Sequence, residues 1–159
     1  AQRGLIPATP ILCVAGRPDA QAPRWVEARR ADPATIAMFD KTSYGFGRRV
    51  DHEFWESAKG APTMWHKDSD PLGYSYTSRS GLIGPIGARD PDAAALILRA
   101  ELARRQGVDT SVMLPGSSRS MVAVAMEAGL RFNRPPGLLL MSDGYPPPVS
   151  LAIATYFLY

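Results

Sequence analysis

The spacing of apolar residues changes along the chain, and each change marks a different kind of element. Residues 1–23 read as a leader. Within it, Ile11-Leu12-Cys13-Val14-Ala15 is an apolar run suited to one strand, and residues 16–23 have the Pro- and Gly-containing composition of a linker. Helical spacing follows over about 31–41. Asp32-Pro33 supplies an N-cap and a first-turn proline there, and Ile36 and Phe39 share a face. Tyr44-Gly45-Phe46-Gly47 interrupts it, and a second short helix is predicted over 51–58, before Gly60. The period then shortens. Runs at 63–66, 72–77 and 82–87, separated by Asp68-Ser69-Asp70-Pro71 and Arg79-Ser80-Gly81, predict a three-stranded antiparallel meander.

Asp90-Pro91-Asp92 opens the clearest helix, 91–106, where Ala94, Leu98 and Leu102 form one stripe and Gly107 follows as the stop. Ser111-Val112-Met113-Leu114 is a strand. Pro115-Gly116-Ser117-Ser118 is a turn whose last serine is placed to cap a helix reaching about Ala128. Strands at 138–141 and 151–158 flank a turn at 143–148. The predicted order is ααβββαβαββ, an α/β chain of the α+β type with a mixed, mostly antiparallel sheet flanked by helices.

Composition narrows the function classes. The chain has 159 residues, suited to one compact domain, with 18 basic against 15 acidic side chains and a net charge of +3. Of the basic residues 15 are Arg and 3 are Lys, but they are scattered and no aromatic side chains interleave with them, so no nucleic-acid partner is expected. The single cysteine, Cys13, excludes an internal disulfide framework and a multi-cysteine zinc site and points to a reducing, cytoplasmic setting. Cys13 is expected to be buried rather than nucleophilic. No apolar stretch approaches a membrane span, and no signal peptide is visible. Ala1 in place of an initiator Met marks a processed chain or a fragment.

Three stretches carry a family resemblance: Gly84-Pro85-Ile86-Gly87-Ala88-Arg89, Val112-Met113-Leu114-Pro115-Gly116-Ser117-Ser118 and Met126-Glu127-Ala128-Gly129-Leu130. With the element order, they make residues 24–159 resemble the GNAT acetyltransferase superfamily. Gly84-Pro85 and Met141-Ser142-Asp143-Gly144 look most like the C-terminal domain of proteins that carry two such domains in tandem. Arg3-Gly4-Leu5-Ile6-Pro7 looks like the close of a preceding domain. The resemblance implies acetyl-CoA as cosubstrate, no metal, and transfer of an acetyl group to a primary amine on a small molecule or peptide. It also implies an upstream domain or a second copy as partner. The implied cleft opens between strands 82–87 and 111–114, with the backbone of Ile86, Gly87 and Ala88 facing the pantetheine arm. The pyrophosphate would lie at the loop from Arg89 to Ala94, including Ala93, with Ser117 and Ser118 nearby.

That loop departs from the family pattern. Asp92 stands where a glycine is expected, Pro91 removes a donor, and Asp90 is placed to cap the same N–H groups. On the catalytic side the strand 82–87 has no carboxylate and the helix after Ser118 has no Tyr. Tyr76, Tyr156 and Ser118 are therefore the candidate catalytic groups, beside Tyr74, which shares a strand face with Tyr76. His52-Glu53-Phe54-Trp55-Glu56 resembles a zinc-binding helix but has Glu56 in place of the second His, and it is expected to be a solvated helix face. Two functions remain open: an acetyl-CoA-dependent N-acetyltransferase, and a domain of the same fold that shapes a substrate cleft or interface without binding CoA.

Overall fold

The computed structural model describes residues 4–142, 144 and 148–154. Helix α1 (Pro33–Tyr44) starts as the sequence predicts: the Asp32 carboxylate accepts from Thr35 N at 2.9 Å, and Gly45 closes the helix in the left-handed region. Helix α2 is Arg49–Lys59, α3 is Pro91–Arg104 and α4 is Arg119–Glu127. The strands are β1 (Leu5–Gly16), β2 (Val26–Arg30), β3 (Thr63–Lys67), β4 (Asp70–Thr77), β5 (Leu82–Ala88), β6 (Thr110–Pro115), β7 (Arg131–Phe132), β8 (Gly137–Ser142) and β9 (Leu151–Ala152).

They form one mixed sheet in the order β2-β3-β4-β5-β6-β1-β7, with β8 on β1 and β9 on β5. Every pairing is antiparallel except β5–β6, which is parallel over only Leu82↔Ser111 and Ile83↔Val112. The predicted meander is present as β3, β4 and β5. Three elements extend the predicted order: β1 and β2 at the front, and the short β7.

Within the segment read as a leader, residues 5–16 form strand β1, which contains the apolar run 11–15. β1 runs for 12 residues and pairs with β6 from Ile11↔Pro115 to Gly16↔Thr110, with β7 and β8 on its other side. Its buried positions are Thr9, Ile11, Cys13 and Val14, three of them within the apolar run. Cys13 is buried, as expected.

The alternation of β4 divides the core between two faces. Ser75 points to the α3 side, where it accepts from Trp65 Nε1 (2.7 Å) and donates to the buried Glu101 carboxylate (2.6 Å). That face is filled by Ile97, Leu98 and Leu102 of α3 and Met121, Val124 and Ala125 of α4, against Ile83, Ile86, Val112 and Leu114 of the sheet. Tyr74 and Tyr76 point to the other face, where Ile36, Phe39 and Trp55 bring α1 and α2 down onto the sheet.

Candidate functional site

After Ile83 the parallel strands β5 and β6 part. β6 continues with β1 on its far side, so the facing edges of both strands are left unpaired over the second half of β5. This notch is the cleft the sequence resemblance implies. Residues 151–154 lie in it. Leu151 pairs with Gly87 and Ala152 with Ile86, while on the opposite wall Ile153 N donates to Met113 O at 3.1 Å. Leu151, Ala152 and Ala154 are fully buried. The backbone edge offered by Ile86 and Gly87 is therefore already occupied by the chain itself, which satisfies groups that would otherwise be costly to bury. The fit is close, because a Cβ on Gly84 would stand 2.6 Å from Ile153 O.

Ser117 and Ser118, read as cofactor contacts, hold the same segment. The Ser117 hydroxyl donates to Pro148 O, and the Ser118 hydroxyl lies 3.2 Å from Leu151 O and 3.4 Å from Pro148 O. Ser118 thus makes no side-chain cap on α4, contrary to the sequence expectation, because its hydroxyl is committed across the notch. Of the expected strand 151–158, Leu151–Ala152 is strand among the described residues, and 155–158, Tyr156 among them, lie outside the described residues.

The loop at the open end is equally committed. Arg89 is paired with Asp70 and, at 3.1 Å, with Asp90, and its pKa is raised chiefly by the hydrogen bond to Asp70. The Asp90 side chain accepts from Ala93 N at 2.7 Å, its carbonyl accepts from Ala94 N at 3.0 Å, and Pro91 has no N–H. The first turn of α3 is capped from within, and Ala93 and Ala94 are buried. In this conformation neither the notch nor the loop fits an acetyl-CoA.

A second polar group lies one strand away, and most of it is absent from the sequence reading. His52, expected on a solvated helix face, is buried at 8% exposure. The reason is the i, i+3 stripe of His52 and Trp55, which turns this side of α2 onto the sheet. His52 Nδ1 lies 2.9 Å from Tyr76 Oη and its Nε2 2.9 Å from Asp40 Oδ2. Asp40, 1% exposed, also accepts from Tyr74 Oη at 2.6 Å and Arg48 N at 3.2 Å.

A carboxylate only accepts, so His52 donates from Nε2 and its Nδ1 is left to accept from Tyr76. The result is a directed chain from Tyr76 through His52 to Asp40, drawn from β4, α2 and α1. Burial raises the pKa of Tyr76, with Glu56 and Asp40 adding to the rise, and burial likewise places Tyr74 well above an ordinary tyrosine. Both phenols are neutral donors at physiological pH.

The chain is roofed by aromatic rings. His52 packs edge-on against Trp55 and Tyr74, with ring centroids 5.1 Å apart in each case. The Arg48 guanidinium stacks over Tyr44 (4.3 Å) and Trp55 (4.7 Å) and pairs with Asp51 at 2.8 Å. Above His52 and Asp40 a cleft of about 460 Å³ opens between α1 and α2. Ala154 packs in the same apolar cluster as Tyr76 and Trp55, so the deep end of the notch abuts this network. Lys59, at the end of α2, donates to Gly84 O on β5, and burial lowers its pKa to about 8. The sequence signal that could have found the network was Tyr74 and Tyr76 sharing one strand face. Asp40 and His52 gave no local signal.

Among the described residues no group of three or more His, Cys, Asp or Glu could hold a metal ion, and no helix is long and apolar enough to cross a membrane.

No protein-family model matches the sequence, and no curated protein matches it either. Solved structures do. A candidate acetyltransferase from Pyrococcus horikoshii superposes with a TM-score of 0.73 at 13% identity, covering 98% of this chain and 53% of that one. A Drosophila protein matches with a TM-score of 0.59 at 13% identity, over 87% of this chain and 52% of its own. A GCN5-related N-acetyltransferase from Kribbella flavida matches with a TM-score of 0.50 at 16% identity, over 89% and 61%. The chain therefore spans about half to three fifths of the length of these neighbours. At such identities the likeness establishes architecture, and the architecture is the GNAT fold: a mixed, mostly antiparallel central sheet with helices on both faces.

Proposed function

We propose that this chain is a GNAT-fold unit of an acetyl-CoA-dependent N-acetyltransferase that acts on a primary amine of a small molecule or peptide. The observation that carries the reading is the parted β5–β6 pair, with the Tyr76–His52–Asp40 chain beside its deep end. A notch between parallel strands, once residues 151–154 leave it, offers backbone donors and acceptors to an extended, amide-rich arm, which is the shape and chemistry of pantetheine. The buried hydrogen-bond chain supplies what strand β5 lacks. A proton taken up at Tyr76 passes to His52 Nδ1, and the resulting imidazolium is held by Asp40.

The test is calorimetric titration of the chain with acetyl-CoA, followed by acetyl transfer to a panel of primary amines. Micromolar binding with turnover that falls at least tenfold in Tyr76→Phe supports the reading. Absence of binding at millimolar concentration, both in the native chain and in a variant with residues 151–154 displaced from the notch, overturns it for this chain.

A second reading is favoured by the loop at Arg89. With Asp90 capping α3, and Arg89 bound to Asp70 and Asp90, the unit would shape a substrate cleft or an interface beside another GNAT-fold domain and would bind no CoA. The same titration separates the two.

A further inference from the structure

We propose that residues 148–154 are a strap that keeps the thioester arm's place in the notch and has to leave before an acyl thioester can bind. This rests on the acetyltransferase reading above and concerns how its cleft is controlled. Direction is the first argument. Leu151 lies opposite Gly87 and Ala152 opposite Ile86, so the segment enters from the Ala88–Arg89 end and runs inward to Ala154, beside Tyr76 and Trp55. An extended arm entering from the same end would run the same way along the same edge of β5.

Exclusion is the second argument. The segment pairs with β5, bonds to β6 at Met113 O, and passes so near Gly84 that not even a Cβ fits between them. Strap and arm cannot share the space.

Attachment is the third argument. The strap is held to β5 by two paired positions, to β6 by one bridge, and to the turn before α4 by the hydroxyls of Ser117 and Ser118. By contrast, β1 is fixed to β6 through six paired positions. A short ladder with side-chain anchors can open while the sheet around it stays closed.

The experiment uses the whole chain in three forms titrated with acetyl-CoA. One is the native chain. One is Leu151→Asp, which puts a charge on a fully buried strap position and expels the segment. The third is Ile86→Cys/Ala152→Cys, whose paired positions allow a disulfide to lock the strap when oxidised. The strap predicts binding at least tenfold tighter in Leu151→Asp, and loss of binding in the oxidised lock that returns on reduction.

Equal affinity in all forms overturns the strap and leaves the acetyltransferase reading standing, since the thioester then binds elsewhere. No binding by any form, with Leu151→Asp still melting cooperatively, overturns the acetyltransferase reading and with it the strap. Should Leu151→Asp fail to fold, the lock decides alone: a reversible difference between oxidised and reduced protein sustains the proposal, and no difference ends it.

Discussion

The notch and the α1–α2 core lie one strand apart, and each holds buried hydrogen-bonding groups. They find partners in opposite ways. In the notch the polar atoms are backbone groups of β5 and β6, and the partner is a borrowed strand from the chain's own C-terminal part. Such a partner can be exchanged for anything extended that offers amides. In the core the polar atoms belong to Asp40, His52, Tyr74 and Tyr76, each fixed by geometry to a specific neighbour. No substitute presents the same groups. The first region is suited to exchange of occupants, the second to holding one arrangement of protons.

The sharpest way to break this contrast is Asp40→Ala. It strands the Tyr74 hydroxyl, the His52 N–H and the Arg48 amide in an apolar cluster and should cost about 3–5 kcal/mol, read as a large fall in the denaturation midpoint. A loss below 1 kcal/mol would mean that the network is not a fixed unit. Next is Leu151→Ala in the strap. Full burial predicts about 2–3 kcal/mol, toward the low end for a core leucine because a short segment can settle into the space. Amide exchange sharpens the same point: the amides of Ala152 and Ile153 should exchange well before those of Cys13 and Val14 on β1. Equal protection would show the strap to be as permanent as the sheet.

A smaller effect tests the seam between the regions. Lys59 has a folded pKa of about 8 against an ordinary 10.5. Between those values the unfolded chain holds a proton that the folded chain has released, so stability rises with pH over that window and the contribution is smallest below pH 8. The melting temperature of the native chain, less that of Lys59→Met, should climb between pH 8 and pH 10.5. A flat difference would place the ammonium in water. The smallest effect is expected from Arg89→Ala, because an exposed ion pair of this kind is worth under about 1 kcal/mol. A drop of several kcal/mol would make the loop a structural clamp.

The sheet's meander, the helix at Asp90-Pro91 and the cap at Asp32 were legible because each is a local rule: alternation, a capping side chain, a first-turn proline. The place of the notch was legible only through the family resemblance carried by Gly84-Pro85-Ile86-Gly87-Ala88-Arg89 and the stretch 112–118. Its occupancy was not. Residues 151–153 read as an ordinary closing strand, and only the pairing with Ile86 and Gly87 shows which gap they close. At the front of the chain the apolar run 11–15 was legible as a strand, but the rest of β1 was not, because only pairing with β8 and β6 makes residues 5–10 and Gly16 part of the sheet.

His52 shows the limit most clearly. One histidine between two acidic residues on a short amphipathic helix has the local look of a solvated face. Whether it is buried depends on which side of α2 the sheet receives, and that is set by Trp55 together with Tyr74 and Tyr76, more than twenty residues away in sequence. The sequence alone therefore determined most of the helices and strands and the α/β class, because periodicity and capping act over a few residues. Only the tertiary structure decided what fills the gap between β5 and β6 and which polar side chains meet beside it. Those depend on contacts between distant segments, which decide where buried donors and acceptors find partners.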